Sequence, residues 1–327
     1  MPEEQIVIGS SWHKRFNEFL RYVLRWKQLG DSSTDILDPM REKRQERGLD
    51  SVFAYKRNSS SPQQVVLVEA KTAERMRNIG KLKLEEWVAV LLSKLEHLPL
   101  AQEFKDKFQP DTDAQYQLGL IGLWVRDIEA DSHSQLQAWL SQVYVPNRRM
   151  PCCIGLVSNQ TITRLCAIDQ QVQEIRGSSV CQSISYHFPD YGDKPPAEGS
   201  SVPFESIFSE FVFLNARLLQ PTKGGSGPVP YNAYIVFYLG DVQGYSDLHF
   251  IGLALRQFQM LKTGALIVYT LRDPIDIRNE TAIFRGEFRL GPPSTGLVID
   301  QREPGDSIEF RQLVPSNQLP SWMVRYD

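Results

Sequence analysis

Apolar residues recur at helical spacing from residue 11 to residue 29, where Trp12, Phe16, Phe19, Leu20 and Val23 share one face. The spacing predicts an amphipathic helix, started by Ser10 or Ser11 and stopped by Gly30. After the polar stretch GDSSTDILDPMREKRQERG come two runs with strand patterning, residues 50–56 and 64–71, separated by the turn-forming RNSSSPQ. They predict a hairpin. Residues 82–98 return to helical spacing and close at Pro99, residues 116–125 predict a buried strand, 134–144 a helix and 152–157 a further strand.

The order of these elements predicts a mixed α/β layer fold. Two Pro/Gly/Ser-rich breaks follow, residues 186–204 and 220–230. The first sets the expected limits: a domain over residues 1–185, then a C-terminal α/β region over 205–327. In that region a strand at 233–240, a helix at about 247–262 and a strand at 265–271 read as a βαβ unit, with short strands expected in EFRLG, TGLVID and IEFRQLV. No internal repeat of fixed period is visible.

Composition narrows the class without naming a partner. The 327 residues, 42% hydrophobic and 23% charged, describe an ordinary globular protein with room for two moderate cores. A net charge of -3 excludes a globally basic nucleic-acid binder, so such a partner would be met by a local patch. Two segments supply one: the first helix carries Lys14, Arg15, Arg21, Arg25 and Lys27 against Glu18, and KTAERMRNIGKLK, 71–83, carries five cations against Glu74. No apolar run is long enough to cross a bilayer and no signal peptide is visible, which sets the expectation of a cytoplasmic protein. The cysteines, Cys152, Cys153, Cys166 and Cys181, have no zinc-like spacing and are expected to be buried thiols.

The candidate chemistry lies where VVLVEAK, 65–71, passes from four apolar residues to two charges. An apolar run on both faces marks a central strand, and Glu69 and Lys71, two apart, share a face at its end. A turn centred between Ser59 and Ser60 would set Asp50 opposite Glu69, with Cα atoms roughly 4.5–5.5 Å apart. Facing carboxylates repel unless a cation lies between them, and Mg²⁺ needs little more than two such oxygens with water and phosphate. Lys71 would then offset charge developing on a phosphate.

Asp50 and Glu69-Ala70-Lys71 on a hairpin behind a helix resemble the PD-(D/E)XK nuclease superfamily, over residues 10 to about 130–170. The resemblance implies a restriction-endonuclease-like mixed sheet flanked by helices and a metal-dependent endonuclease hydrolysing phosphodiester bonds, of DNA before RNA. It implies Asp50 and Glu69 as metal ligands, the Ala70 carbonyl as a third, and Lys71 as the catalytic lysine. Mg²⁺ is the implied ion, with Mn²⁺ as a substitute. Glu18 is the one candidate for the acid that family members often carry on the first helix, and Gly48-Leu49 stands where the usual proline precedes the Asp. Glu103-Phe104-Lys105 is a second E-x-K with no apolar strand before it.

Arg75, Arg77, Lys81 and Lys83 follow the expected metal site and would hold phosphates. The C-terminal region is left for substrate selection, self-association or a partner subunit, and the family analogy suggests anti-phage defence. A second reading keeps the fold as a non-cleaving nucleic-acid-binding or scaffolding subunit. A third, a nucleotide sensor around Gly240-Asp241-Val242-Gln243-Gly244, has two glycines but no G-x-G-x-x-G.

Overall fold

The computed structural model describes residues 3–40, 46–127, 132–143, 151–189, 197–220, 228–258, 260–261, 265–288 and 308–315. It divides into two compact units: the first holds Met1–Thr163 and Ser201–Ile207, the second Arg164–Ser200 and Phe208–Gln318. The break expected at residue 185 thus falls inside the second unit.

In the first unit the chain runs α1 (Glu3–Tyr22), β1 (Lys27–Leu29), β2 (Thr34–Leu37), β3 (Glu46–Leu49), β4 (Ser51–Tyr55), β5 (Gln64–Arg75), α2 (Lys81–His97), α3 (Gln102–Phe108), β6 (Gln115–Asp127), α4 (Ser132–Leu140) and β7 (Cys153–Val157). Five strands form one sheet in the order β1-β4-β5-β6-β7. β1–β4 and β4–β5 are antiparallel, whereas β5–β6 and β6–β7 are parallel. β2 and β3 pair as a separate two-stranded ribbon, which the sequence reading takes as polar connection.

Burial explains these choices. Val65–Val68 are fully buried, as a central strand covered on both faces requires. Residues of one parity, Val65 and Leu67, join Val52, Ala54, Leu91, Leu92 and Leu95 in the core under α2. From α1, the Trp12 Nε1–H donates to the Gly122 carbonyl at 3.0 Å. The first helix differs from expectation: it begins at Glu3, ends at Tyr22, and gives way to strand β1 where helix was expected through residue 29. Arg25 turns the chain with φ 60°, which seats Trp26 with its Nε1–H on the Val202 carbonyl at 2.7 Å and its ring on Tyr55.

The second unit takes up α5 (Asn159–Gly177), whose first residues lie in the first unit, then β8 (Cys181–Phe188) and β9 (Ala197–Gly199). A one-turn helix, α6 (Phe204–Ile207), belongs to the first unit. There follow β10 (Phe211–Gln220), β11 (Val229–Tyr238), α7 (Tyr245–Gln257), β12 (Ala265–Thr270), α8 (Arg278–Glu287) and β13 (Ile308–Gln312). Their sheet has the order β13-β12-β11-β10-β8-β9. β11-α7-β12 is the expected βαβ unit, its strands parallel. Its core gathers Val236, Val268, Leu255, Phe284 and Phe310. Of the expected late strands, IEFRQLV contains β13, Glu287 ends α8, and TGLVID lies outside the described residues. None of the four cysteines is in a disulfide, but only Cys166 is buried and Cys153 is exposed.

Candidate active site

Asp50 sits on the one-residue link between β3 and β4, where the chain leaves the ribbon and enters the sheet. The hairpin pairs Ser51 with Val68 and Tyr55 with Gln64, so the next rung brings Asp50 level with Glu69 as the turn centre predicts. The ladder stops one residue short, and the Asp50 carboxylate takes over the pairing: its Oδ2 accepts the Ala70 N–H at 2.7 Å. Its backbone is fixed as well, the carbonyl accepting the Ser33 N–H at 2.8 Å and the Ser51 hydroxyl at 2.6 Å. Leu49 forms a rung of the β2–β3 ribbon with Thr34, and proline, having no N–H, is a poor residue within a ladder. That accounts for the missing proline before Asp50.

Glu69 is 4% exposed, and burying a carboxylate demands compensation. Two ammonium groups supply it. Lys71 donates to Oε2 at 2.6 Å, and Lys94, from α2, donates to Oε1 and to the Gly48 carbonyl. Lys94 is 8% exposed, so Asp50, Glu69, Lys71 and Lys94 form a four-charge group of zero net charge at the sheet end. Nothing in the E-x-K pattern singles out Lys94. Its signal is visible in retrospect: it lies in the apolar stripe of α2 between Leu91 and Leu95, where a cation needs a buried partner.

The other expected ligand stands apart. Glu18 lines a groove of about 410 Å³ with His13, Asn17, Arg21, Gln28 and Ser32. Among the described residues no group of three or more His, Cys, Asp or Glu side chains could hold a metal ion, so Glu18 does not make a trio with Asp50 and Glu69. The groove nevertheless reaches the site: the Ser51 hydroxyl, next to Asp50, lies 2.9 Å from Asn17 Oδ1 and 2.8 Å from His13 Nε2. The donor set fits a hard divalent ion. Asp50 Oδ1 takes no hydrogen bond from the described residues, and carboxylate oxygens keep spare lone pairs beyond one ammonium contact. Lys71, with its side chain 28% exposed, can also swing clear, whereas Lys94, at 10%, is held.

Of the four cations expected to hold phosphate, Arg75 and Arg77 are exposed at the end of β5 and just beyond it. Lys81 and Lys83 open α2 and are partly neutralised by Glu85 at 3.7 Å and Glu86 at 2.8 Å. The second E-x-K lies on helix α3, where Phe104 is buried and Glu103 pairs with Lys107, so it forms no strand-end site.

Behind the site a second polar group pins the ribbon to α2. Asp38, its side chain fully buried, accepts from Arg47 Nε at 2.6 Å and the Met40 N–H at 3.0 Å, and lies 3.3 Å from His97 Nδ1. Burial alone would raise its carboxyl, but the Met40 amide, His97 and Arg47 together hold it below the usual carboxylate range. Arg47 also donates to Ser93, one residue before Lys94.

No helix of the described residues is long and apolar enough to cross a membrane. No curated protein matches the sequence. Residues 1–161 match the family model of the GAPS4 protein PD-(D/E)XK nuclease domain, and with Asp50 and Glu69-Ala70-Lys71 joined at the sheet end, this part of the chain is a PD-(D/E)XK nuclease domain.

Proposed function

We propose that the protein is a divalent-metal-dependent nuclease that hydrolyses phosphodiester bonds of DNA, acting in the cytoplasm in defence against phage. The observation that carries the reading is the buried Glu69 carboxylate between Lys71 and Lys94, with Asp50 tied to the intervening amide. Asp50, Glu69 and the Ala70 carbonyl would hold the ion, Mg²⁺ or in its place Mn²⁺. When bound, it supplies Lewis-acid polarisation of a phosphoryl oxygen and a nucleophile at neutral pH.

The chain's own groups do the rest. Lys71 is the movable ammonium: turned away from Glu69, it would donate to a non-bridging phosphate oxygen and offset the charge that develops there. Lys94 stays on Glu69 and fixes which lone pairs point outward. Lys14 and Arg21, exposed on α1 beside the groove, and Arg75 and Arg77 beyond β5 can hold flanking phosphates. The family's name supports a role in defence, and a partner subunit or a second copy of the chain is proposed for the C-terminal unit.

Plasmid cleavage in Mg²⁺ tests the reading, with Lys71→Ala expected to lower the rate about a hundredfold or more. Wild-type protein that binds DNA yet cleaves it with neither Mg²⁺ nor Mn²⁺, alone or with its partner, would instead favour the non-cleaving reading.

A further inference from the structure

The second unit repeats the architecture of the first, strand for strand. In the first, helix α1 precedes β1, β4 and β5, joined by antiparallel pairs; α2 then leads to β6, parallel to β5, and α4 to β7, parallel to β6. In the second, helix α5 precedes β8, β10 and β11, again joined by antiparallel pairs; α7 leads to β12, parallel to β11, and α8 to β13, parallel to β12. Both units place their additional strands between the first and second strands of this common core, β2–β3 in one and β9 in the other. Eight elements in one order with four matching strand pairings make a repeated fold, although the two sequences show no periodicity.

Register converts the repeat into a residue correspondence. The rung Val52–Leu67 packs in the core under α2 and the rung Phe213–Val236 packs in the core with α7, so these two rungs share a face of the common sheet. The next rung on that face sets Asp50 and Glu69 level with Phe211 and Tyr238. One rung beyond, Glu210 and Leu239 pair through the backbone, Leu239 N–H donating to the Glu210 carbonyl at 2.7 Å. The chemistry does not survive. Phe211 and Tyr238, their ring centroids 5.0 Å apart, put aromatic rings where Asp50 and Glu69 have carboxylates, and α7, YSDLHFIGLALRQ, contains no lysine to stand for Lys94. Arg164 of α5 lies within electrostatic reach of Asp241 and Glu210, the acids that follow Tyr238 and precede Phe211 in the chain.

We infer that the second unit is a divergent copy of the nuclease fold that has lost its metal-holding and catalytic groups, leaving each chain one cutting centre. The inference rests on the nuclease reading of the first unit. With Phe211 and Tyr238 at the ligand positions, the second sheet end has no carboxylate pair equivalent to Asp50 and Glu69.

The test compares full-length wild type, Asp50→Asn/Glu69→Gln, Lys71→Ala and Glu210→Gln/Asp241→Asn in two readouts: plasmid cleavage in Mg²⁺, and Mn²⁺ binding followed by electron paramagnetic resonance, which needs no turnover. Expected are loss of specific Mn²⁺ binding in Asp50→Asn/Glu69→Gln, loss of cleavage in Lys71→Ala, and both properties within about twofold of wild type in Glu210→Gln/Asp241→Asn. Residual Mn²⁺ binding or cleavage that survives the first-unit substitutions and disappears on adding Glu210→Gln/Asp241→Asn overturns the inference. A wild-type chain that neither cleaves nor binds Mn²⁺ overturns the nuclease reading of the first unit, while still agreeing with a second unit that holds no metal.

Discussion

Lys94 has no role in the E-x-K pattern, yet it determines whether Glu69 can exist as a buried anion. Removing one partner of a buried ion pair strands the other charge, at a cost of about 3 kcal/mol or more. Lys94→Ala is therefore expected to lower unfolding stability by that order in urea titrations, and adding Glu69→Gln should restore part of the loss, a coupling that two independent sites would not show. Asp38 gives a pH signature. Its folded pKa lies below the unfolded value of about 3.9, so its contribution is complete above that value and is lost as pH falls through the folded pKa. The stability gap between wild type and Asp38→Asn should accordingly shrink in thermal melts taken below about pH 4. At this scale the sequence shows Asp50, Glu69 and Lys71, because they punctuate an apolar run. Lys94 stays hidden because helical periodicity reports which face is buried and says nothing of which partner awaits a charge there.

Elements deliver those residues through close backbone approach. β6 passes beneath two helices at glycines: a Cβ on Gly119 would meet Leu91 of α2 at 2.9 Å, and one on Gly122 would meet the Phe16 ring of α1 at 2.2 Å. Gly122→Ala must displace Phe16 or the strand, and is expected to lower the unfolding midpoint by an amount equivalent to about 1–3 kcal/mol. The hairpin register was legible because a short turn with Asn58 and Pro62 leaves few alternatives, and Val65–Val68 announced a central strand. The β2–β3 ribbon was not, since its burial pattern offers only Ile36 and Leu49 as fully buried apolar positions in eight strand residues. Strand β1 was hidden for a different reason: the helical spacing of α1 continues past Tyr22, and only the tertiary seat of Trp26 ends it.

For the whole molecule, charge and topology carry different messages. A chain of net charge -3 must bind a polyanion locally, so affinity for duplex DNA should fall steeply with salt. Arg77→Ala is expected to reduce the slope of log K against log salt by about 0.9, while Lys83→Ala, already paired with Glu86, should change it less; fluorescence anisotropy over a salt series measures both. The α/β class and the βαβ unit at β11-α7-β12 could be read from periodicity. The repeat could not, because what the two units share is strand order and direction, and many apolar sequences satisfy the same order.

The hydrogen bond from the Ala70 amide to Asp50 locates part of the candidate site in an atom that no codon specifies. Side-chain scanning at position 70 will therefore miss it: Ala70→Ser preserves the donor and should leave cleavage near wild type. A semisynthetic protein carrying a lactic-acid ester at that position keeps every side chain and loses the single proton. Its cleavage rate should drop, and the drop would report how far the Asp50 carboxylate depends on the strand's own main chain to stay aimed.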